Sequence, residues 1–405
     1  MRDVAVIGVG MHKFGQFPQE SFKDLGREAI WHAIRDAGID PKAINIAYVG
    51  NCYIGILFGQ ESARAAVVVR HAGLGGIPMI HVESGTASSS IAFHEAVNAV
   101  ASGNYDVALA VGVEKLFFPG DPGKSMAAIS TSAEKAVGTD MGLSFVAELA
   151  QAIRALMDKW GWTQEQMAKI TAKNLYNASL HPYAEVHNPL TVEQILAARV
   201  VAYPLTRPMS CSAAVDGGSA AIVCAKSIAR RFTSKPLVDV AAIHYKGGRF
   251  VPPAEMDKEP GMISMDMTPQ VFKVCYEKAG IGPKDVEIAQ CHDAMAPEEL
   301  LAYQTMGFCA PGEEGKMIDE GRTTLRGDIP MNTDGGLTAR GNPIGATGLA
   351  QVAEIVWQLR GEAGARQVAG KDGKGPKVGA IQNAGGGPVG PGGGVGCSVG
   401  IILKR

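Results

Sequence analysis

Two hydroxyl side chains, Ser84 and Thr86, lie immediately before a helix-like run in the segment His81-Val82-Glu83-Ser84-Gly85-Thr86-Ala87-Ser88-Ser89-Ser90. The first backbone N–H groups of a helix lack intrahelical partners, so this position attracts an oxyanion. Threonine is not ionised near neutral pH, and its β-branch restricts the rotation that presents the oxygen. Thr86 can therefore act as a nucleophile only beside a strong base. The alternative is that it merely caps the helix.

Three further polar side chains stand in short motifs. His292 lies in Cys291-His292-Asp293, Asn342 in Gly341-Asn342-Pro343, and Gln382 in Gln382-Asn383-Ala384-Gly385-Gly386. A histidine can carry a proton near neutral pH. Asparagine and glutamine do not titrate, so these two side chains can donate hydrogen bonds but cannot be general bases. The alternative for His292 is a structural histidine fixed by Asp293, and strand alternation points Cys291 away from it into the core.

Motifs along most of the chain resemble the sterol-carrier-protein branch of the thiolases. They are Lys173-Asn174 with His181-Pro182-Tyr183-Ala184, Ser210-Cys211-Ser212 with Asp216-Gly217-Gly218, Cys291-His292-Asp293, and, most specific, Asn332-Thr333-Asp334-Gly335-Gly336 to Gly341-Asn342-Pro343-Ile344-Gly345-Ala346-Thr347-Gly348. This resemblance implies the α/β thiolase fold, in which duplicated βαβαβ halves form a five-layered αβαβα core with an inserted loop domain. It also implies a coenzyme A thioester as substrate, with no tightly bound cofactor and no metal.

Four positions of this chain match the catalytic positions of that family, and three carry a different residue. Thr86 stands where the family has its nucleophilic cysteine, and Asn342 where it has the histidine that deprotonates this cysteine. Gln382 replaces a histidine or cysteine acid/base residue. The loss of these proton carriers is difficult to reconcile with ordinary thiolysis. His292 is retained, and the resemblance implies that it binds the thioester oxygen of the substrate that becomes the enolate. It is also the best candidate for acid/base work.

The first functional class that fits is an acyl-CoA carbon–carbon lyase, which cleaves its substrate by a retro-aldol reaction without a covalent acyl-enzyme. That reaction needs an oxyanion site and a proton acceptor, but no thiol. Tyr303 and His81 are the candidates for the acceptor. The oxyanion site would be built from His292, Asn342, Gln382 and the backbone N–H groups near Thr86 and Ala384.

Two other classes remain open. One is an acyltransferase that uses Thr86, Ser84 or a displaced cysteine as its nucleophile. The other is a non-catalytic subunit that pairs with an active homologue or with a small zinc-ribbon and OB-fold protein. The resemblance also implies a homodimer that pairs through the strand at about 78–83.

Hydrophobic periodicity and turn signals predict the elements that position these residues. In the first half they predict strands at 3–9, 45–50, 78–83 and 106–113, and helices at 21–37, 62–72 and 87–102. In the second half they predict strands at 236–244, 286–291, 328–333, 377–383 and 395–403, and helices at 268–279, 296–307 and 346–363. This alternation predicts parallel sheets covered by helices.

An internal repeat divides the chain, because residues 37–47 recur as 279–289. Each copy has a helix that ends at glycine, a Pro-Lys turn and the start of a strand. Residues 117–219 break the alternation, with helices predicted at 145–160 and 163–176. We therefore expect an N-terminal half of residues 1–116 and 220–235, an inserted loop domain of residues 117–219, and a C-terminal half of residues 236–405.

The composition is 46% hydrophobic and 19% charged, which is ordinary for a globular enzyme. A formal charge of −2 without a charge run gives no basis for nucleic acid or an anionic membrane as partner. The seven cysteines show no paired spacing, which favours the cytoplasm. The glycine-rich run 385–394 is followed by an apolar strand and not by a helix, which predicts a close-packed turn at the floor of the active site and not a phosphate cradle.

Overall fold

A computed structural model describes residues 1–132, 145–248, 267–386 and 396–405. Its strands are β1 (Val4–Met11), β2 (Ile46–Gly50), β3 (Met79–Val82), β4 (Val107–Glu114), β5 (Val200–Ala202), β6 (Leu205–Thr206), β7 (Gly217–Ala225), β8 (Val238–Gly247), β9 (Ile288–Gln290), β10 (Val378–Gly385) and β11 (Cys397–Lys404). Its helices are α1 (Phe22–Ala37), α2 (Ile54–Phe58), α3 (Arg64–His71), α4 (Ser88–Ala101), α5 (Pro122–Ile129), α6 (Phe145–Trp160), α7 (Gln164–Ser179), α8 (Val192–Leu196), α9 (Met267–Ala279), α10 (Pro297–Thr305), α11 (Glu314–Asp319), α12 (Gly336–Ala339) and α13 (Thr347–Arg360).

The large sheet has nine strands in the order β3-β2-β4-β7-β1-β8-β11-β10-β9. The first five of these strands come from the N-terminal half and the last four from the C-terminal half. Within the described residues, strand pairing joins the two groups at β1 and β8, where Ala5 pairs with Asp239 and Val6 with Val238. A short antiparallel pair, β5 and β6, lies apart from this sheet.

The core has five layers. α1 and α3 cover the outer face of the first group of strands, and α9 covers the outer face of the second group. α4 and α13 lie between the two groups and share one apolar cluster with both of them. Alternation along β1 shows how the layers arise: Val4 and Val6 point into that central cluster, whereas Ala5 and Ile7 point into the outer cluster beside α1. The expected αβαβα thiolase core is confirmed.

The repeated helix-to-strand unit has the same form in both halves. α1 ends at Ala37 and is followed by Gly38 with φ 67°, and α9 ends at Ala279 and is followed by Gly280 with φ 63°. This left-handed conformation is accessible to glycine without a steric penalty. A short 3-10 turn that begins with proline follows in each copy and leads into β2 or β9.

The prediction of parallel sheets is only partly right. β2 pairs in parallel with β3 and β4, and β9 with β10, but β7, β8 and β11 pair antiparallel with their neighbours. The strand predicted at 328–333 is wrong. Only Met331 forms a bridge there, to Ala289, because Pro330 has no N–H to donate and Asn332 has a positive φ of 51°.

The segment between β4 and β7 contains α5 to α8 and the β5-β6 pair. β7 begins at Gly217, inside the range predicted for the loop domain. α6 and α7 contribute to an apolar cluster that they share with α9 and α10, on the outer side of the C-terminal half. Of the predicted glycine-rich turn, residues 387–394 lie outside the described residues, as does residue 395 of the last predicted strand. No helix among the described residues is long and apolar enough to cross a membrane.

Candidate active site

A cavity of about 160 Å³ opens where the two halves and the segment between β4 and β7 meet. Its floor contains Gly85 and Thr86 before α4, His292 after β9, Asn342 before α13, and Ala384 near the end of β10. The structure therefore brings together Thr86, His292, Asn342 and Ala384, which lie far apart in the sequence. The opposite wall is largely apolar and is formed by α5, α6 and the segment 210–213.

Thr86 lines this cavity but does not cap α4. The N-cap position is Ala87, which has no side-chain cap. The hydroxyl of Ser88 donates instead to the carbonyl of Gly85 at 2.6 Å and accepts from the N–H of Ser84 at 2.9 Å. Thr86 lines the cavity, and among the described residues no base makes a hydrogen bond to its hydroxyl.

Ser84 faces a different space. Its hydroxyl lies 3.0 Å from Sγ of Cys397, and its side chain lines a neighbouring opening together with Cys52, Glu83 and Arg64. The structure therefore does not bring Ser84 together with Thr86 and His292. This placement leaves Ser84 outside the lining of the cavity that contains Thr86 and His292.

Close packing of two backbone segments forms the floor beneath Thr86. A Cβ on Gly385 would overlap the carbonyl oxygen of Ser84, and one on Gly85 would overlap the backbone nitrogen of Gly386. Gly85 and Gly386 both have positive φ, at 54° and 78°. Glycine is therefore needed on both sides of this contact.

His292 is half-buried beside the cavity, and its Nδ1 is buried without a hydrogen-bond partner among the described residues. Burial, assisted by the nearby positive charge of Arg340, lowers the pKa of His292 to about 4. The ring is thus neutral at pH 7, which suits a hydrogen-bond donor better than a proton acceptor.

Asp293 makes no hydrogen bond to the ring of His292 among the described residues, so it does not fix that ring directly. The Asp293 carboxylate accepts from the N–H of Leu337 at 2.7 Å, from the hydroxyl of Thr338 at 2.9 Å and from the amide of Asn174 at 3.0 Å. These contacts hold the loop after β9 against α12 and α7. They position His292 through its backbone and leave its ring free to face the cavity.

The two amides that replace proton carriers are held in different ways. Oδ1 of Asn342 accepts from the hydroxyl of Thr347 at 2.6 Å, which turns its NH₂ group toward Sγ of Cys211 at 3.7 Å. Oε1 of Gln382 accepts from the backbone N–H of His292 at 2.9 Å. Gln382 lines a small adjacent cavity of about 20 Å³ that also contains His292, not the larger one. Asn342 is thus a donor in the main cavity, whereas Gln382 supports His292 from behind.

The two candidate proton acceptors from the sequence are wrong. Tyr303 is fully buried outside the cavity, where its hydroxyl donates to Glu299 at 2.5 Å. Burial and the Glu299 charge raise its pKa well above the usual range. Nε2 of His81 lies 3.0 Å from the carbonyl oxygen of Asn51, and His81 does not line the cavity. Cys291 is buried against Asn332, which confirms its predicted core position.

Cys211 and Glu298 are among the cavity residues that sequence reasoning did not identify. Burial raises the pKa of the Cys211 thiol to about 12, although the Asn342 amide partly opposes this shift. Burial also raises the pKa of Glu298 to about 8, partly opposed by the N–H of Met295. The motif Ser210-Cys211-Ser212 was a signal for the thiol. Glu298 gave no signal beyond its position six residues after His292, next to another glutamate.

A possible metal-ligand cluster is formed by three residues that do not line this cavity. His12, Glu20 and Glu28 place one ligand atom each within 4.8 Å of one another. Nε2 of His12 lies 3.2 Å from Oε2 of Glu20, a distance at which the two side chains satisfy each other directly. The cluster therefore needs no ion to explain its geometry.

Comparison with known proteins agrees with this architecture. Residues 4–195 match the family described as thiolase, N-terminal domain, and residues 253–388 match the one described as thiolase C-terminal domain-like. An acetyl-CoA acetyltransferase of Methanothermobacter thermautotrophicus is 38% identical over 386 residues, covering 95% of this chain and 97% of that protein. Sterol carrier protein 2 of Rattus norvegicus is 34% identical over 381 residues, covering 91% of this chain and 68% of that protein.

Among solved structures, an Ltp2-ChsH2(DUF35) aldolase superposes with a TM-score of 0.80 at 22% identity, covering 100% of this chain and 98% of the matched chain. At this identity the superposition shows a shared fold. The relatives that cover nearly the whole chain above 30% identity show more. Together with the matched N- and C-terminal domains and the five-layered core, they establish that this chain belongs to the thiolase superfamily, among enzymes of acyl-CoA chemistry.

Proposed function

We propose that this protein is an acyl-CoA carbon–carbon lyase that cleaves its substrate by a retro-aldol reaction and forms no acyl-enzyme. The supporting observation is the content of the cavity. It holds two neutral hydrogen-bond donors, His292 and Asn342, around a nucleophile position occupied by Thr86, whose hydroxyl is hydrogen-bonded to no base among the described residues. Such a site can stabilise an enolate oxyanion, but it is poorly equipped to form and resolve a covalent intermediate.

The proposed substrate is a β-hydroxyacyl-CoA. Its thioester oxygen would lie against His292 and Asn342. When the Cα–Cβ bond breaks, the electron pair moves onto the thioester carbonyl and forms the enolate, while the β-hydroxyl loses its proton and its carbon leaves as an aldehyde or ketone. Neutral donors in a partly buried site stabilise the developing negative charge more than they stabilise the uncharged substrate.

The acyl group of the substrate should be apolar near its reactive carbon. Met126 and Ile129 on α5, Leu149 on α6, and Met295 and Ile344 all line the cavity. Apolar walls with few polar groups are typical of sites that bind hydrocarbon. The same wall is where we expect the pantetheine arm of coenzyme A to enter.

Acyl transfer is the second candidate, because the 38% identical relative is named an acetyl-CoA acetyltransferase and because Cys211 lines the cavity. Two observations weigh against it. The Thr86 hydroxyl is hydrogen-bonded to no base in the described parts of the chain, and a thiol whose pKa is raised to about 12 is almost wholly protonated at neutral pH. A cysteine in that state is a weak nucleophile.

We further propose a homodimer and a second protein partner. β3 is an edge strand of the sheet, and its Ile80 is 42% exposed, which leaves a surface for pairing with another copy. The solved complex that superposes on this chain is named as an aldolase with a DUF35 component, and this supports the small zinc-ribbon and OB-fold protein as the partner type. All seven cysteines are free thiols, which fits the cytoplasm.

The test is to incubate the purified protein with β-hydroxyacyl-CoA substrates and to follow products by mass spectrometry, with and without free coenzyme A. A lyase releases a shortened acyl-CoA and a carbonyl compound without needing free coenzyme A, and leaves no adduct on the protein. Cleavage of β-ketoacyl-CoA that requires free coenzyme A, with an acyl adduct on Thr86, Ser84 or Cys211, would establish acyl transfer instead. Absence of both activities, with and without a partner protein, would identify a non-catalytic subunit.

A further inference from the structure

A buried carboxyl group lies beside the proposed oxyanion donors. Glu298 is at the start of α10, is only 8% exposed, and lines the main cavity. It also lines the small adjacent cavity, together with His292 and Gln382. Glu298 and His292 therefore border the same two spaces. Among the described residues of the C-terminal half, Glu298 is the only acidic residue that lines the main cavity.

We propose that Glu298 is the catalytic proton carrier of the lyase reaction, and this inference rests on the function proposed above. In the first step the Glu298 carboxylate accepts the proton of the substrate β-hydroxyl. The Cα–Cβ electron pair then forms the enolate, and the carbonyl fragment departs. In the second step protonated Glu298 returns this proton to Cα, which gives the acyl-CoA product and regenerates the carboxylate. Every proton and electron pair is accounted for without another reactant.

The surroundings of Glu298 suit this role. Oε2 accepts from the N–H of Met295 at 2.7 Å, and the other oxygen makes no hydrogen bond among the described residues. Burial raises the pKa of this carboxyl to about 8, so it exchanges a proton near neutral pH. The other titratable residues that line the main cavity with Glu298 are His292, Cys211, Tyr53 and, on α6, Glu148.

Other buried carboxylates near His292 are already engaged. Glu299 accepts from Lys173 at 2.5 Å and from Asn332 at 2.9 Å. Asp293 accepts three hydrogen bonds from Leu337, Thr338 and Asn174. Neither residue lines the cavity. Glu298 thus differs from them in having both cavity access and an unengaged oxygen.

The experiment measures deuterium incorporation at Cα of acetyl-CoA and hexanoyl-CoA in D₂O, which is the reverse of the second step. It compares the wild-type protein with Glu298→Gln, in which the amide oxygen still accepts from Met295. Glu185→Gln is the matched control, because burial raises the pKa of Glu185 to about 7 but this residue does not line the cavity. We expect exchange to fall about 10²-fold or more in Glu298→Gln and to persist in Glu185→Gln. The wild-type rate should rise with pH up to about 8.

Full exchange in a folded Glu298→Gln protein, no exchange in the wild type, or loss of exchange in Glu148→Gln alone would overturn the assignment. If Glu298→Gln does not fold, Glu298→Asp keeps the charge but withdraws the carboxylate, and an undiminished rate there would equally overturn it. Cleavage of β-hydroxyacyl-CoA is measured separately. Exchange that depends on Glu298 in a protein that cleaves no β-hydroxyacyl-CoA would refute the lyase function while retaining the proton carrier.

Discussion

His292 and Thr86 face the same cavity, but their surroundings allow them different roles. The buried, neutral imidazole of His292 can donate a hydrogen bond, and its backbone is fixed by Gln382. Thr86 contributes its position at the start of α4, where its backbone N–H is available whatever its side chain. The first residue is therefore expected to act through its side chain and the second through its backbone.

Replacing Thr86 by alanine tests this distinction. We expect Thr86→Ala to cleave β-hydroxyacyl-CoA within about tenfold of the wild-type rate, because the backbone donor remains. The comparison is His292→Ala, which removes a side-chain donor and should lower kcat by about 10²-fold or more. A rate abolished in Thr86→Ala, with an unchanged melting temperature, would instead indicate a threonine nucleophile.

The buried neutral state of His292 predicts a pH dependence of stability. Because its pKa is about 4 in the folded protein and lies near 6.5 in an unfolded chain, the unfolded state binds more protons between these values. The free energy of unfolding should therefore fall as the pH is lowered from about 6.5 to 4. His181, whose pKa is also lowered well below the usual range by burial, adds to the same decline.

Urea titrations of wild type and His292→Gln at pH 7 and pH 5 measure the effect. The variant should lose less stability between these pH values, because one of the histidines whose pKa is lowered in the folded protein is gone. Between pH 7 and pH 9 the two proteins should change in parallel, since His292 is neutral in both states there. An equal acid-induced loss in both proteins would show that His292 takes up its proton while folded.

Residue positions around the site were predictable, but their environments were not. The motifs identified Thr86, His292 and Asn342, which line one cavity. They did not show that Ser84 turns toward Cys397 or that Oε1 of Gln382 is taken up by the backbone of His292. The sequence did not predict Glu298, because what distinguishes this residue is its burial beside a cavity. Burial depends on packing between segments that lie far apart in sequence.

At the scale of elements, the start of α4 and the end of β10 are held together by backbone contact alone. Gly385 faces the carbonyl of Ser84 so closely that a Cβ has no room. The proposed oxyanion position at Thr86 would therefore depend on the conformation of a strand from the other half of the chain. This dependence makes glycine at position 385 a determinant of site geometry.

We expect Gly385→Ala to lower the free energy of unfolding by about 2 kcal/mol and to lower kcat, because the two segments must separate. Gly75→Ala is the matched control, since Gly75 has no atoms within 4 Å of an added Cβ. Thermal melts and steady-state rates of both variants check the expectation. A Gly385→Ala protein as stable and active as the control would mean that the backbone adjusts freely.

Periodicity located the elements of the sheet well, with one instructive failure. β1 and β4 are buried on both faces and therefore appear in the sequence as continuous apolar runs. The segment 328–333 has a shorter apolar centre, and Pro330 and the positive φ of Asn332 limit it to a single bridge. Strand direction was also misjudged, since β7 and β11 reverse direction, which hydrophobic pattern does not encode.

At the scale of the whole molecule, the two halves are joined by a buried ionic contact as well as by the sheet. Nη1 of Arg360, at the end of α13, donates to Asp36 on α1 at 2.8 Å, and Nη2 donates to the carbonyl of Val6 at 3.2 Å. Lys235, in the connection before β8, also contacts Asp36. These contacts link the two halves and the connection between β7 and β8. No local pattern in the sequence predicts them.

Arg360→Ala should lower the free energy of unfolding by roughly 3 kcal/mol, because it removes one of the two cationic side chains that contact the largely buried Asp36. Arg322→Ala is the control: its guanidinium pairs with Asp328 at the surface, and its loss should cost less than about 1 kcal/mol. Urea denaturation of the two variants separates the cases. Equal midpoints would show that the sheet alone couples the halves.

The two copies of the repeated helix-to-strand unit carry different residues at a position next to the candidate site. When the alignment of residues 37–47 with residues 279–289 is continued by three residues, Gly50 at the end of β2 corresponds to His292 after β9. A Cβ at Gly50 would lie 2.6 Å from the carbonyl carbon of Ser88, so glycine at this position makes room for the start of α4. The second copy carries the imidazole of His292 at the matching position. Matching positions of the two copies thus serve one cavity in different ways: one accommodates the helix that follows Thr86, and the other supplies a side chain that lines the same cavity as Thr86.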